Sequence, residues 1–261
     1  MGKSIAIVNQ KGGVGKTTSC VNLAAALTAQ GARVMVCDFD PQGNATSGLG
    51  VDKTHSPSVY DAVLGGAPIS KAIVGTRWAD VAPANKSLSG ATVELIGMDR
   101  REYRLKVALE EVKSLYDFIF IDCPPSLELL TLDALCAADA LLVPVQCEYY
   151  ALEGLSDLLY TARLAKQRLN PSLEIEGVLL TMYDGRTNLS LQVAEEVKRH
   201  FPGKVYATVI PRNVRLSEAP SHGMPVTVYD PLSRGAEAYQ ELAKEFLAKN
   251  QITVGSPTVA K

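Results

Sequence analysis

A chain of 261 residues with 47% hydrophobic and 21% charged residues is long enough to bury one large α/β core and too apolar to stay disordered throughout. Its 26 Lys and Arg against 28 Asp and Glu leave a net charge of -2, so contact with nucleic acid has to come from a local patch. Five cysteines without a CxxC pair or secretory leader point to a reducing compartment, His55, His200 and His222 have no metal-ligand spacing, and no run of about 18 apolar residues spans a bilayer.

Short β-branched runs alternate with longer amphipathic stretches, the pattern of parallel strands joined by crossover helices. Strands are expected at 4–9, 33–39, 79–84, 117–122, 140–145, 175–182 and 204–210. Helices are expected near 17–30, 59–65, 86–96, 100–115, 130–137, 151–169, 188–201 and 234–249. Several strands are apolar at nearly every position, as they must be when helices cover both faces of a sheet. The expectation is a doubly wound, mostly parallel α/β sheet in one domain over 1–249, followed by an unstructured tail, 250–261, where periodicity stops.

The first strand runs into VNQKGGVGKTT, residues 8–18. A glycine-rich turn between a strand and a helix lets successive backbone N–H groups face an anion, and the helix N-terminus adds partial positive charge. Gly12, Gly13, Val14, Gly15 and Thr18 then cradle phosphate, Lys16 meets the β/γ-phosphates and the Thr17 hydroxyl reaches Mg²⁺. Hydrolysis also needs acids, and two stretches supply them at strand ends: Asp38-Phe39-Asp40 and the run Phe118-Ile119-Phe120-Ile121 leading into Asp122, which would hold Mg²⁺ through water. Cys123 lacks a partner histidine and reads as structural.

The general phosphate-loop pattern wants glycine at position 10, where this chain has Gln10. What stands instead is KGGVGKT, the deviant Walker A pattern. Together with DFDPQGNATSGLG, DCPPSLELLTLDAL, PRNVRLSEAPSHG and YDPLSRGAEAY, it resembles the ParA/Soj family of partition ATPases over nearly the whole chain. That resemblance implies a P-loop ATPase using ATP and Mg²⁺ and assembling as a nucleotide-sandwich homodimer. The dimer would coat double-stranded DNA without sequence preference, and a ParB-type centromere-binding partner would trigger hydrolysis. It further implies that Lys11 reaches across to the partner's phosphates, Asp40 activates the attacking water, and Asp38 supports the metal region. Pro211 and Asn213 resemble the adenine-side loop, with Arg212 a further candidate there, and Glu148 a candidate for contact with nucleotide across the interface. The implied location is cytoplasmic and nucleoid-associated, with no membrane contact and no helix-turn-helix ahead of the first strand.

Charge distribution bears on the DNA step independently. From Arg186 to Arg215 six Lys and Arg face Glu195 and Glu196, a local balance of +4 that leaves -6 for the rest of the chain. Phosphate-backbone contact requires a patch of this kind and no base-reading element. Arg186 and Arg215 are the leading candidates by family resemblance, followed by Lys198 and Arg234. Tyr149 and Tyr150 are read as packing residues. A MinD-like membrane-surface ATPase is the alternative, but ITVGSPTVAK lacks the bulky apolar and cationic faces of a membrane-binding helix. A nitrogenase-type iron–sulfur component would need bridging cysteines that Cys123 and Cys136 do not provide. No substrate-pocket signature beyond nucleotide favours a small-molecule kinase or synthetase.

Overall fold

The structure, a computed structural model, describes residues 2–148 and 151–252. In chain order these build β1 (Lys3–Ile7), α1 (Lys16–Ala29), β2 (Val34–Asp38), α2 (Asn44–Gly48), α3 (Val59–Leu64), α4 (Ile69–Ala72), β3 (Asp80–Ala82), α5 (Leu88–Leu95) and α6 (Arg104–Glu110). They continue with β4 (Phe118–Asp122), α7 (Leu129–Ala137), β5 (Ala140–Gln146), α8 (Ala151–Arg168), β6 (Glu174–Thr181), α9 (Asn188–His200), α10 (Arg215–Glu218), α11 (Val226–Tyr229) and α12 (Arg234–Lys249).

The six strands form one sheet in the order β3-β2-β4-β1-β5-β6, every neighbouring pair parallel. Because side chains alternate along a strand, each strand feeds two cores. Ile5, Ile7, Val34, Val36, Phe118 and Phe120 face α1 and α12, while Ala6, Met35, Cys37, Ile119 and Ile121 face the side covered by α3 and α5 to α9. Phe246 of α12 meets Phe118 edge-on at 5.0 Å, an aromatic contact that adds to its burial in fixing the helix on the sheet. With β4 on one side of β1 and β5 on the other, the chain reverses direction at β1. The crevice above the strands' C-terminal ends at such a point is where ligands of open α/β sheets sit.

The expected strand at 204–210 does not form a ladder. It touches β6 through a one-residue bridge at Val178–Val205, and the N–H groups of Ala207 and Thr208 turn away to donate to the Glu245 carboxylate at 2.7 and 2.8 Å. The close approach of Tyr206 requires glycine at 177, where a Cβ would lie 2.4 Å from the ring. The expected helix at 100–115 is divided into a 3-10 turn at Arg101–Tyr103, α6, and a second 3-10 turn at Lys113–Leu115. Asn250, at the head of the expected tail, is held by hydrogen bonds with Lys3 at 2.7 Å and Glu176 at 2.9 Å, so packing outlasts the helical periodicity. Residues 253–261, and with them the rest of that tail, lie outside the described residues, as do Tyr149 and Tyr150.

Asp133 on α7 is fully buried, with Oδ1 accepting the Leu105 N–H at 3.0 Å and Oδ2 without a partner. Burial pushes its carboxyl up to about 8, so the folded chain holds a proton that the unfolded chain releases near pH 4. Between those values each rise of one pH unit costs about 1.4 kcal/mol of stability from this group alone. Asp133→Asn removes the titration. The free-energy advantage of the variant over the parent in urea unfolding is expected to grow as pH rises from 5 to 8, and a constant difference would refute the burial argument.

Candidate functional site

β1 ends at Ile7 and α1 begins at Lys16, and the eight residues between them wrap the C-terminal end of the sheet's central strand. Asn9 organises the turn: its Nδ2 donates to the Pro144 carbonyl at 2.7 Å and its Oδ1 accepts the Lys11 N–H at 3.0 Å. Gly15 caps α1 at φ 91°, a left-handed conformation that glycine adopts without strain, and Gly13 at φ 74° makes a second reversal. The Val14 carbonyl is drawn inward by the Thr181 hydroxyl at 2.8 Å. The consequence is a concave run of backbone N–H groups at a helix N-terminus, a geometry suited to phosphate.

Lys16 is buried, and its Nζ donates back to the Lys11 carbonyl at 2.9 Å. Burial pulls its pKa below the usual lysine value, while Asp122, Cys123 and Asp40 pull it up. Asp38 and Asp122 occupy paired positions at the ends of β2 and β4. Asp38 Oδ2 accepts both the N–H and the hydroxyl of Thr46 at 2.7 Å, tying the acid to α2; its pKa is raised to about 6 by burial, against those hydrogen bonds. Asp40 is buried, with Oδ1 accepting the Gln42 N–H at 2.9 Å. Both Asp122 oxygens are buried without a hydrogen-bond partner of good geometry. Burial and then Asp38 raise its pKa well above the carboxylate range, while Thr17 and Lys16 act in the opposite direction.

Next to the loop lies a cavity of about 360 Å³ lined by Gly15, Thr18, Pro211, Asn213, Leu216 and Tyr239 among others. Its mostly apolar walls suit a planar base held beside the phosphates. Met182 enters a left-handed conformation at φ 49°, turning the chain out of β6 so that the Tyr183 N–H meets the Ile210 carbonyl at 3.0 Å. Segment 210–213 is thereby hung over the phosphate loop. Lys11 reaches Glu148, just past β5, in an ion pair within the chain.

Comparison with known proteins decides the family. The AAA domain family matches residues 2–175. The chain is 61% identical over 251 residues to the sporulation initiation inhibitor protein Soj of Bacillus subtilis, covering 95% of this chain and 99% of that protein. It is 51% identical to the chromosome partitioning protein ParA of Myxococcus xanthus, covering 96% and 89%. The chain belongs to the ParA/Soj family of chromosome-partitioning ATPases. Among solved structures, cobyrinic acid a,c-diamide synthase from Mycobacterium smegmatis with bound ADP and magnesium superimposes with a TM-score of 0.84 at 39% identity over all of both chains. The septum site-determining protein MinD of Pyrococcus horikoshii, complexed with Mg-ADP, gives 0.79 at 29% identity, covering 97% of this chain and 100% of that one. Among the described residues no helix is long and apolar enough to cross a membrane.

The family's loop and acids therefore converge on one crevice: Gly12, Gly13, Val14, Gly15, Lys16, Thr17 and Thr18 on the loop and first turn of α1, with Asp38, Asp40 and Asp122 beside them. Pro211 and Asn213 join them through the adjoining cavity. The four DNA candidates are exposed but are not equally free. Arg186 pairs with Asp184, and Arg215 pairs with both Glu218 and Asp230, at 2.7, 2.8 and 3.0 Å. Arg199, counted in the +4 balance, pairs with Glu196. Acids just outside the 186–215 window thus offset part of the charge read from the window itself; Lys198 and Arg234 are exposed and, among the described residues, carry no such pair. Thr46, Asn9 and Thr181 were not visible as site residues in the sequence. Asn directly after a strand and before glycines was the one available signal, because such a side chain commonly bonds its own backbone two residues on.

Proposed function

We propose that this chain is a Mg²⁺-dependent ATP hydrolase that, with ATP bound, forms a homodimer, holds nonspecific double-stranded DNA and is driven through its cycle by a ParB-type partner. The observation that carries the reading is the buried Lys16 set in a glycine loop against Asp38, Asp40 and Asp122, in a chain of the ParA/Soj family.

In this reading the loop N–H groups and Lys16 hold the phosphates, and the cavity beside Pro211 and Asn213 takes the base. Asp40, on a turn that fixes its carboxylate, orients the attacking water. Magnesium fits the donors present: Asp122 offers two buried oxygens, the Thr17 hydroxyl on the first turn of α1 lies beside them, and Asp38 supports them from the neighbouring strand. When bound, the ion neutralises charge developing on the phosphates. Lys11 is assigned to the partner's phosphates. Arg186, Arg215, Lys198 and Arg234 are assigned to the DNA backbone, with the paired acids to be displaced from the first two.

The test is ATP turnover of the purified chain with neither, either and both of random duplex DNA and a ParB-type protein. Stimulation by both together well beyond the sum of each alone is expected. Turnover indifferent to both would overturn the DNA and partner assignments, while leaving the family and the nucleotide site in place.

A further inference from the structure

The loop's two lysines are both occupied by the chain itself. Lys16 Nζ is bonded to the Lys11 carbonyl, the Lys11 N–H is bonded to Asn9, and the Lys11 ammonium is paired with Glu148. The pair joins the phosphate loop after β1 to the segment just past β5, residues 137 apart in sequence but following neighbouring strands. Side chains of Lys11 and Glu148 are 37% and 35% exposed, so neither is locked by burial; each is held by the other and both remain open to an incoming group.

We propose that Glu148 is a positioning residue that holds Lys11 on its own chain until a phosphate replaces it, so that each subunit must break this ion pair before Lys11 can act across a dimer. The proposal rests on the ATP-dependent dimer of the preceding reading. Glu148 and phosphate compete for one ammonium. An ammonium paired with a carboxylate satisfies its charge locally, and a triphosphate, carrying more negative charge, outcompetes that carboxylate only when a second subunit brings it within reach. Phosphate arriving in the subunit's own loop also recruits Lys16 and frees the Lys11 carbonyl, so nucleotide binding loosens the backbone end of Lys11 while Glu148 still restrains the side-chain end. Glu148 thereby opposes premature assembly. This role has the opposite sign from contact with the partner's nucleotide, which would make Glu148 favour the dimer.

A partly exposed ion pair contributes about two- to five-fold to an equilibrium, and a symmetric dimer breaks two of them. Glu148→Gln keeps shape and polarity but removes the charge. With ATP, the variant is expected to dimerise with a dissociation constant roughly four- to twenty-five-fold lower than the parent by analytical ultracentrifugation. The advantage should shrink as salt is raised from about 0.05 to 0.5 M, because screening weakens the pair in the parent alone. A role confined to folding would not show that convergence. Acylation of Lys11 in the nucleotide-free chain, followed by mass spectrometry, reads the restraint without any dimer, and its rate should rise in the variant. A weaker dimer or an unchanged Lys11 rate would overturn the proposal. If parent and variant both stay monomeric with ATP, it is the dimer reading that falls, and the Lys11 rate alone then decides whether Glu148 holds the lysine.

Discussion

Lys16→Ala is expected to lose ATP binding. The parent Lys16 is buried between the loop and the acids Asp122 and Asp40, and its Nζ is already pointed at the Lys11 carbonyl, inside the concavity where phosphate would lie. A charge-assisted contact in such a place contributes about 1.5–3 kcal/mol, equivalent to roughly a tenfold to a hundredfold weaker affinity, and calorimetry with a slowly hydrolysed ATP analogue measures it. The substitution has a second consequence for stability. Lys16 lowers the pKa of Asp122, which burial, Asp38 and Asp40 raise well above the carboxylate range. A carboxyl raised in the folded state costs stability as pH climbs from its unfolded value through its folded one, and removing the cation raises it further. The Tm of Lys16→Ala should therefore fall relative to the parent more at pH 8 than at pH 5. Lys16→Met, which preserves the packed stem, separates loss of charge from loss of volume. Unchanged affinity in both variants would remove Lys16 from the phosphate site.

The crevice that gathers the glycine loop and the acids was legible in the sequence because its parts are local or sit at strand ends. Gly13 and Gly15 stand where the backbone must turn left-handed, and an apolar run such as Phe118–Ile121 can only lead its terminal acid out at the crest of a buried sheet. Other parts depend on chain crossings that no short window contains. Thr46 reaches Asp38 from eight residues away through a turn, and Glu148 meets Lys11 from just beyond β5, the neighbour of β1 on the side away from β4. The same blindness explains the strand expected at 204–210: its β-branched alternation is genuine, but Glu245 on α12 captures two of its N–H groups. Charge counting along a window failed in the same way at Arg215, whose partners Glu218 and Asp230 lie just beyond the window's end. Periodicity read α12 to the residue because both of its ends carry local signals, Ser233 capping the start at 3.2 Å from the Ala236 N–H and Asn250 closing the end.

Asp40→Ala is expected to abolish turnover while sparing nucleotide binding. Asp40 lies on the turn after β2, buried, with one carboxylate oxygen committed to the Gln42 N–H. Its backbone carbonyl also accepts the Gly43 N–H at 2.9 Å, a bond that the substitution leaves intact. In the proposed reading the other carboxylate oxygen is the one assigned to take a proton from water. Losing a general base costs typically about a hundredfold to ten-thousandfold in rate, whereas losing the Gln42 bond costs only about 1 kcal/mol of turn stability. The two effects are separable. Asp40→Asn keeps an acceptor for Gln42 but not the base, so it should match Asp40→Ala in lost kcat and match the parent in Tm. In the proposed site the loop and Lys16 hold the phosphates and Asp40 acts on Lys16 through its charge, so ATP affinity should hold or rise as one negative charge leaves the crevice. If chemistry is what ends the ATP-bound state, the variant should accumulate as a long-lived dimer with ATP by ultracentrifugation, and DNA should remain bound to it. Turnover within tenfold of the parent would assign water activation elsewhere, and loss of ATP affinity would make Asp40 part of the loop's architecture rather than its chemistry.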